Sequence, residues 1–215
     1  MPWFYYVSRL MVRILLVLLT RRQVRGKENI PSQGPLLVVA NHLSLADPPV
    51  LSFSLEREMI FMAKAKLFRF RVLGYFMHGL GAFPVHGGRP DRKALRQAEQ
   101  VLAQGLTLVV FPEGMRSRSA KLQHSFSGPA LIALRSGAPI LPVGITGTEK
   151  LESAAWLLRR PQIMVNIGRP FHLPPFDGKL TKTELDELTN YIMERVAELL
   201  PAEYRGTYVR KTRWH

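Results

Sequence analysis

Cysteine is absent from all 215 residues, which excludes disulfide staples, thiolate zinc sites and a cysteine nucleophile. Acidic residues are scarce: 16 Asp and Glu stand against 30 Lys and Arg, a formal charge of +14. An excess of that size points to a polyanionic partner or an anionic surface, for which nucleic acid, anionic lipid and phosphorylated small molecules all qualify. No recognition-helix, RNA-binding aromatic or zinc-finger pattern accompanies the charge, so nucleic acid is not the expected partner. Flexible linkers and internal repeats are missing as well. A single domain with short appendages is the expectation at this length.

An uninterrupted apolar span is also lacking. Residues 1–20, MPWFYYVSRLMVRILLVLLT, approach the length of a membrane-crossing helix but carry Arg9 and Arg13, each costing roughly 2.5–3.5 kcal/mol at a bilayer centre. The two arginines share one helical face, Leu10, Ile14, Leu15, Leu18 and Leu19 lie mostly elsewhere, and Trp3, Phe4, Tyr5 and Tyr6 suit the headgroup level. The pattern predicts an amphipathic helix lying in the membrane interface, with a helix packed on the protein's own core as the alternative. Arg21, Arg22, Arg25 and Lys27 follow and would meet anionic headgroups. The expected organisation is a membrane-associating basic segment over 1–30, a main domain over 31–200, and a basic tail over 201–215.

Beyond Pro31, short apolar runs alternate with helical stretches. Strands are expected at Leu36–Ala40, Met59–Ala63, Ala82–Val85, Thr107–Phe111, Ile140–Val143 and Ile163–Ile167. The prolines at 139 and 142 mark Ile140–Val143 as an edge strand. Helices are expected from Asp91 to just before Gly105, from Pro129 to Ser136, and from Lys182 to Leu200, the last introduced by Thr181 and Glu184 as a capping box. The alternation predicts an α/β fold: one mixed, largely parallel sheet flanked by helices.

Asn41-His42-Leu43-Ser44-Leu45-Ala46-Asp47, followed by two prolines, is the stretch with the most chemistry. The preceding apolar run should deliver His42 to the C-terminal end of a strand, where open α/β sheets place their sites. Asp47, before Pro48, reads as a helix N-cap. Five positions apart on one continuous helix, His42 and Asp47 would diverge by about 140°, but an intervening loop lets them meet. Asp47 could then hold one imidazole nitrogen and leave the other as a general base. An ordinary cap with an incidental histidine is the alternative. No second His or carboxylate stands nearby at ligand spacing, so no metal is expected.

Three further turns could meet an anion. Pro112-Glu113-Gly114-Met115-Arg116-Ser117-Arg118-Ser119 supplies a carboxylate, a flexible glycine and two arginines at a strand end, with Glu113 placed to orient Arg116. Gly81-Ala82-Phe83-Pro84-Val85-His86-Gly87-Gly88-Arg89 runs from an apolar strand into a basic glycine-rich turn. Lys64 and Lys66 follow the strand at 59–63, where a lysine could stabilise developing negative charge.

Taken in order, NHLSLAD, GAFPVH, FPEGMRSRS and APILPVG resemble the four motifs of the glycerolipid acyltransferase family that includes the lysophosphatidic acid acyltransferases. The likeness covers roughly residues 35 to 150. Two positions depart from the usual pattern: His86 stands where an arginine is common, with Arg89 nearby, and Met115 stands where Thr or Ser is common. The resemblance implies that His42 deprotonates the free hydroxyl of lysophosphatidic acid for attack on the thioester of acyl-CoA or acyl-carrier protein, with no covalent acyl-enzyme and no cofactor. It further implies that Asp47 orients His42, that Lys64 and nearby backbone N–H groups meet the oxyanion, and that Glu113, Gly114 and Arg116, with Arg89, hold the acceptor phosphate. Such an enzyme would sit on membrane phospholipids at the cytoplasmic face of the cell membrane, peripherally or monotopically. Another lysophospholipid or lipid acceptor is the alternative substrate.

Overall fold

Leu36–Ala40 (β2) contains no polar side chain, and a run apolar toward both faces is stable only in the interior of a sheet covered on both sides. All five residues are fully buried. The computed structural model describes residues 14, 18, 20–69, 74–75, 81–85, 91–152, 160–174 and 180–208. Around β2 it assembles β1 (Arg21–Arg25), β3 (Met59–Lys64), β4 (Ala82–Val85), β5 (Thr107–Val110), β6 (Ile140–Thr146) and β7 (Gln162–Ile167). The seven-stranded order is β1-β7-β6-β2-β5-β3-β4. The five strands from β6 to β4 are mutually parallel, β7 runs antiparallel to β6, and β1 pairs parallel with β7. The expected mixed, largely parallel sheet is therefore present.

Among the described residues, helices cover the two faces unequally. Helix α1 (Asp47–Leu55) packs Val50, Leu51, Phe53 and Leu55 on the face carrying Leu36, Val38 and Ala40. The other face, with Leu37 and Val39, is covered by α2 (Arg92–Ala103), α3 (Gly128–Ser136) and α4 (Lys182–Glu198). Helix α2 starts where Asp91 accepts hydrogen bonds from the N–H groups of Lys93 and Ala94 at 3.1 and 3.0 Å, and it buries Ala94, Ala98, Val101 and Leu102 as a helical stripe. The expected capping box at the head of α4 is formed, with Thr181 and Glu184 bonded reciprocally.

Two readings need correction. Ile140–Val143 is not an edge strand: β6 lies between β7 and β2. In a strand, a residue's N–H and C=O point to the same side. The carbonyl of Pro142 accepts from Gly168 N at 2.9 Å, so its missing N–H falls on the β7 side, just before that antiparallel ladder begins at Val143. The β2 side keeps its register intact through Leu141 and Val143. The proline is tolerated because it sits where a ladder starts.

The basic run at 21–25 is the strand β1, part of the main sheet. Its exposed Arg21, Gln23 and Arg25 alternate with half-buried Arg22 and Val24, and charges of this kind suit an edge. The sheet thus begins well before residue 31. The amphipathic helix expected within 1–20 lies largely outside the described residues. Of that stretch Ile14 and Leu18 are helical and more than half exposed, at 51% and 63%. Among the described residues no helix is long and apolar enough to cross a membrane. At the other end, 201–208 packs against the domain: Leu122 N donates to the Tyr204 carbonyl at 2.8 Å and Tyr208 is buried. The remainder of the expected tail, 209–215, is outside the described residues.

Candidate functional site

Strands β2 and β5 are central neighbours, with Val39 level with Val110. Their exits therefore emerge side by side at the C-terminal edge of the sheet, the usual place for chemistry in open α/β folds. Asn41 fixes the first exit. Its amide donates to the Ile145 carbonyl at 2.8 Å and accepts from Ile145 N at 2.7 Å, so a buried side chain imitates one more peptide of the ladder. His42 follows immediately.

His42 Nδ1 lies 2.8 Å from Asp47 Oδ2. The same oxygen accepts from Leu43 N at 2.6 Å and Ser44 N at 2.8 Å. Oδ2 already acts as the acceptor of two backbone N–H groups, so in this contact it accepts from Nδ1 as well, and Nε2 is left with its lone pair for an incoming hydroxyl. Asp47 is fully buried, the His42 side chain is 16% exposed, and the imidazole stacks on Phe111 with centroids 4.2 Å apart. Ring orientation is held at one nitrogen and one face.

Asp47 does not cap the helix. It is the first helical residue, after Ala46, and its carboxylate turns back onto the loop. Pro48 and Pro49 explain this: neither has an N–H, and Val50 N already donates to the Ala46 carbonyl at 2.9 Å. With no forward donor in the first turn, the carboxylate is free to serve the imidazole.

Glu113, expected to face an anionic acceptor with Arg116, is turned inward instead. Only 2% exposed, it accepts from His42 N at 2.9 Å through Oε1 and from Gln123 N at 3.0 Å through Oε2. Burial pushes its carboxyl up to about 7; the two backbone N–H groups oppose that rise and the Asp47 charge adds to it. Ser117 N closes the opposite strap, donating to the His42 carbonyl at 2.7 Å. Both peptide groups of His42 are thus tied to the loop that leaves β5.

The N–H groups of His42, Leu43, Ser44, Ala46 and Asp47 all donate within the protein. The expected backbone oxyanion donors are consequently not among them. Val109 is level with both Val38 and Phe61, so Lys64 stands level with Asn41, two strands or about 10 Å across the sheet. Lys64 is exposed at that edge. Gly114 turns the β5 exit in a left-handed conformation, φ 62°, with the Phe126 ring in the space a Cβ would need. Arg116 is exposed one residue before Ser117. His86 and Arg89 lie outside the described residues.

Asn41, Phe111, Ser117 and Gln123 belong to this centre although the sequence assigns none of them a role, Gln123 standing outside the motifs altogether. Asn41 and Phe111 are the first residues of the NHLSLAD and FPEGMRSRS motifs, and that membership is the signal the sequence offers. The Ser117 and Gln123 contributions come from backbone N–H groups, which any residue type supplies.

The family model described as Acyltransferase matches residues 21–146. A 1-acyl-sn-glycerol-3-phosphate acyltransferase of Streptococcus pneumoniae is 27% identical, covering 99% of this chain and 76% of its own. One from Chlamydomonas reinhardtii is 31% identical over 85% of this chain, which spans only 54% of the algal protein. The crystal structure of the 1-acyl-sn-glycerophosphate acyltransferase PlsC from Thermotoga maritima superposes with a TM-score of 0.68 at 29% identity, covering 91% of this chain and 79% of that one. The matched segment runs from β1 to the end of β6 and holds both loops that meet at His42, and by that match the chain belongs to the acyltransferase family.

Proposed function

We propose that the protein is a 1-acyl-sn-glycerol-3-phosphate acyltransferase, converting lysophosphatidic acid to phosphatidic acid. The carrying observation is the 2.8 Å contact of His42 with a buried Asp47, in a chain whose relatives bear that activity in their names. In this reading His42 Nε2 takes the proton of the free glycerol hydroxyl as its oxygen attacks the thioester carbonyl. The C–O bond forms, the tetrahedral oxyanion collapses, the C–S bond breaks, and the thiolate takes the proton from the imidazolium. Asp47 holds the imidazole in one tautomer and balances its transient charge. Lys64 faces the oxyanion, and Gly114 and Arg116, joined by Arg89, hold the acceptor phosphate. Glu113 acts through position, by bracing the two loops.

The acyl donor is acyl-CoA or acyl-carrier protein, and the acceptor is drawn from membrane phospholipid at the cytoplasmic face of the cell membrane. The charge of +14 supports attraction to anionic lipid. His86, in place of a usual arginine, favours one alternative, a different lysolipid acceptor. A panel of lysolipids offered with labelled acyl-CoA and, separately, acyl-carrier protein tests both points. Phosphatidic acid as the main product is expected; acylation of another lysolipid with none of lysophosphatidic acid would refute the assignment.

A further inference from the structure

Six large apolar side chains are more than half exposed among the described residues: Ile14, Leu18, Leu45, Tyr75, Met115 and Phe126. Leu45, Met115 and Phe126, at 67%, 51% and 53%, belong to the two loops that meet at His42. Single exposed apolar residues are ordinary on a protein surface, whereas a group around one polar site calls for a physical cause. Local slackness is not the cause. The loops are strapped by Ser117 N to the His42 carbonyl and by His42 N to Glu113, and Phe126 N donates to the Pro112 carbonyl at 2.9 Å. Buried Glu113, Ser117 and Ser125 anchor the segment from which Met115 and Phe126 project. Between them Arg116, Arg118, Lys121 and His124 are exposed, with no acidic side chain exposed from 114 to 127.

Apolar tips set among cations and flanking a recessed imidazole suit the boundary of an anionic bilayer, where acyl chains receive the tips and phosphate headgroups receive the arginines. We propose that Leu45, Met115 and Phe126 insert into the surface of an anionic membrane and seat the His42 edge of the sheet directly on it. This rests on the acyltransferase reading for its purpose, since a lipid acceptor then reaches the base without leaving the bilayer. As a contact it is independent of the 1–20 segment. The rim, rather than the N-terminus alone, sets which face of the domain meets the lipid.

Vesicle binding tests it without any turnover. Full-length protein and the triple variant Leu45→Gln, Met115→Gln, Phe126→Gln are sedimented with vesicles of phosphatidylcholine alone and of phosphatidylcholine with phosphatidylglycerol. The lipid concentration for half-maximal binding to the anionic vesicles should rise roughly tenfold or more in the variant, while its circular-dichroism spectrum and cooperative unfolding stay as in the wild type. Binding equal to the wild type would overturn the proposal. So would unchanged binding with a lost preference for long acyl chains, the mark of a substrate channel instead. Because the chain has no cysteine, Phe126→Cys carries a single environment-sensitive fluorophore, which gives an independent reading if the triple variant folds poorly. Its emission should shift blue on anionic vesicles and be quenched by brominated lipid, and an unshifted spectrum with vesicles bound would refute insertion. Failure of the acceptor panel leaves these measurements untouched, so the two ideas fail separately.

Discussion

Glu113→Gln separates stability from activity in a way that follows from the geometry. The folded protein holds the Glu113 proton up to about pH 7, whereas the unfolded carboxyl releases it near 4.5. Between those values the folded state binds more protons than the unfolded state, so wild-type stability falls as pH rises through this window. The full penalty, reached above pH 7, is about 3 kcal/mol. Glutamine is neutral at every pH and escapes it. One of its oxygen's bonds survives, but its amide must face the second backbone N–H, at a cost of about 1–2 kcal/mol for the unsatisfied donors. At pH 8 the variant should therefore be about 1–2 kcal/mol more stable than the wild type, with the advantage vanishing near pH 5.

Turnover should move the opposite way. One of the two N–H groups that Glu113 bridges is that of His42 itself, and a loosened base loop misplaces the imidazole, for which a loss of roughly tenfold to a hundredfold is typical. Denaturant unfolding at pH 5, 6, 7 and 8, beside turnover of a soluble short-chain acceptor, measures both. A variant fully active at pH 8 would show that the brace does not position the base. A melting difference constant across pH would show that the carboxyl is not raised.

Other substitutions address the remaining supports. His42→Ala should lower turnover by about a thousandfold in a protein that still unfolds cooperatively; near-normal turnover would remove His42 as the base. Asp47→Asn places an amide where one oxygen now receives the imidazole and two backbone N–H groups, so turnover should fall by roughly 10² to 10⁴, and a loss below tenfold would count against its orienting role. Asn41→Ala leaves the buried N–H and C=O of Ile145 without partners, costing about 2–4 kcal/mol by chemical denaturation. Deleting residues 1–20 should weaken vesicle binding more than it affects turnover of a soluble substrate; equal vesicle binding by the truncated chain would reject that segment as an anchor.

Elements with one dominant cause were legible in the sequence. The runs at 36–40 and 82–85 are strands built of apolar residues too few for a helix, and the head of α4 followed from two residues three positions apart. Where two causes competed, the sequence could not weigh them. RRQVR reads as headgroup-seeking charge, yet the same alternation suits an edge strand once β7 supplies each residue a partner 141 positions later in the chain. Pro142 reads as an edge marker. Its position in the interior depends on which neighbour its missing N–H would face, and that depends on where the antiparallel ladder starts.

The site divides along the same line. Residue types that must be what they are, an imidazole and a carboxylate joined by a loop, were visible as a spacing. The carboxylate at 113 was visible too, but its direction was not, because its partners are the backbone N–H groups of residues 71 and 10 positions away and backbone groups leave no trace in residue identity. Pro48-Pro49 was read first as a reason for a helix to begin, which it is. Its second effect is to leave the first helical turn with no uncommitted N–H ahead of Asp47, so that the one carboxylate there bonds backward. The helix start and the orientation of the imidazole are therefore two outcomes of the same missing hydrogens, and restoring a donor at position 49 would set the cap and the imidazole in competition for Asp47.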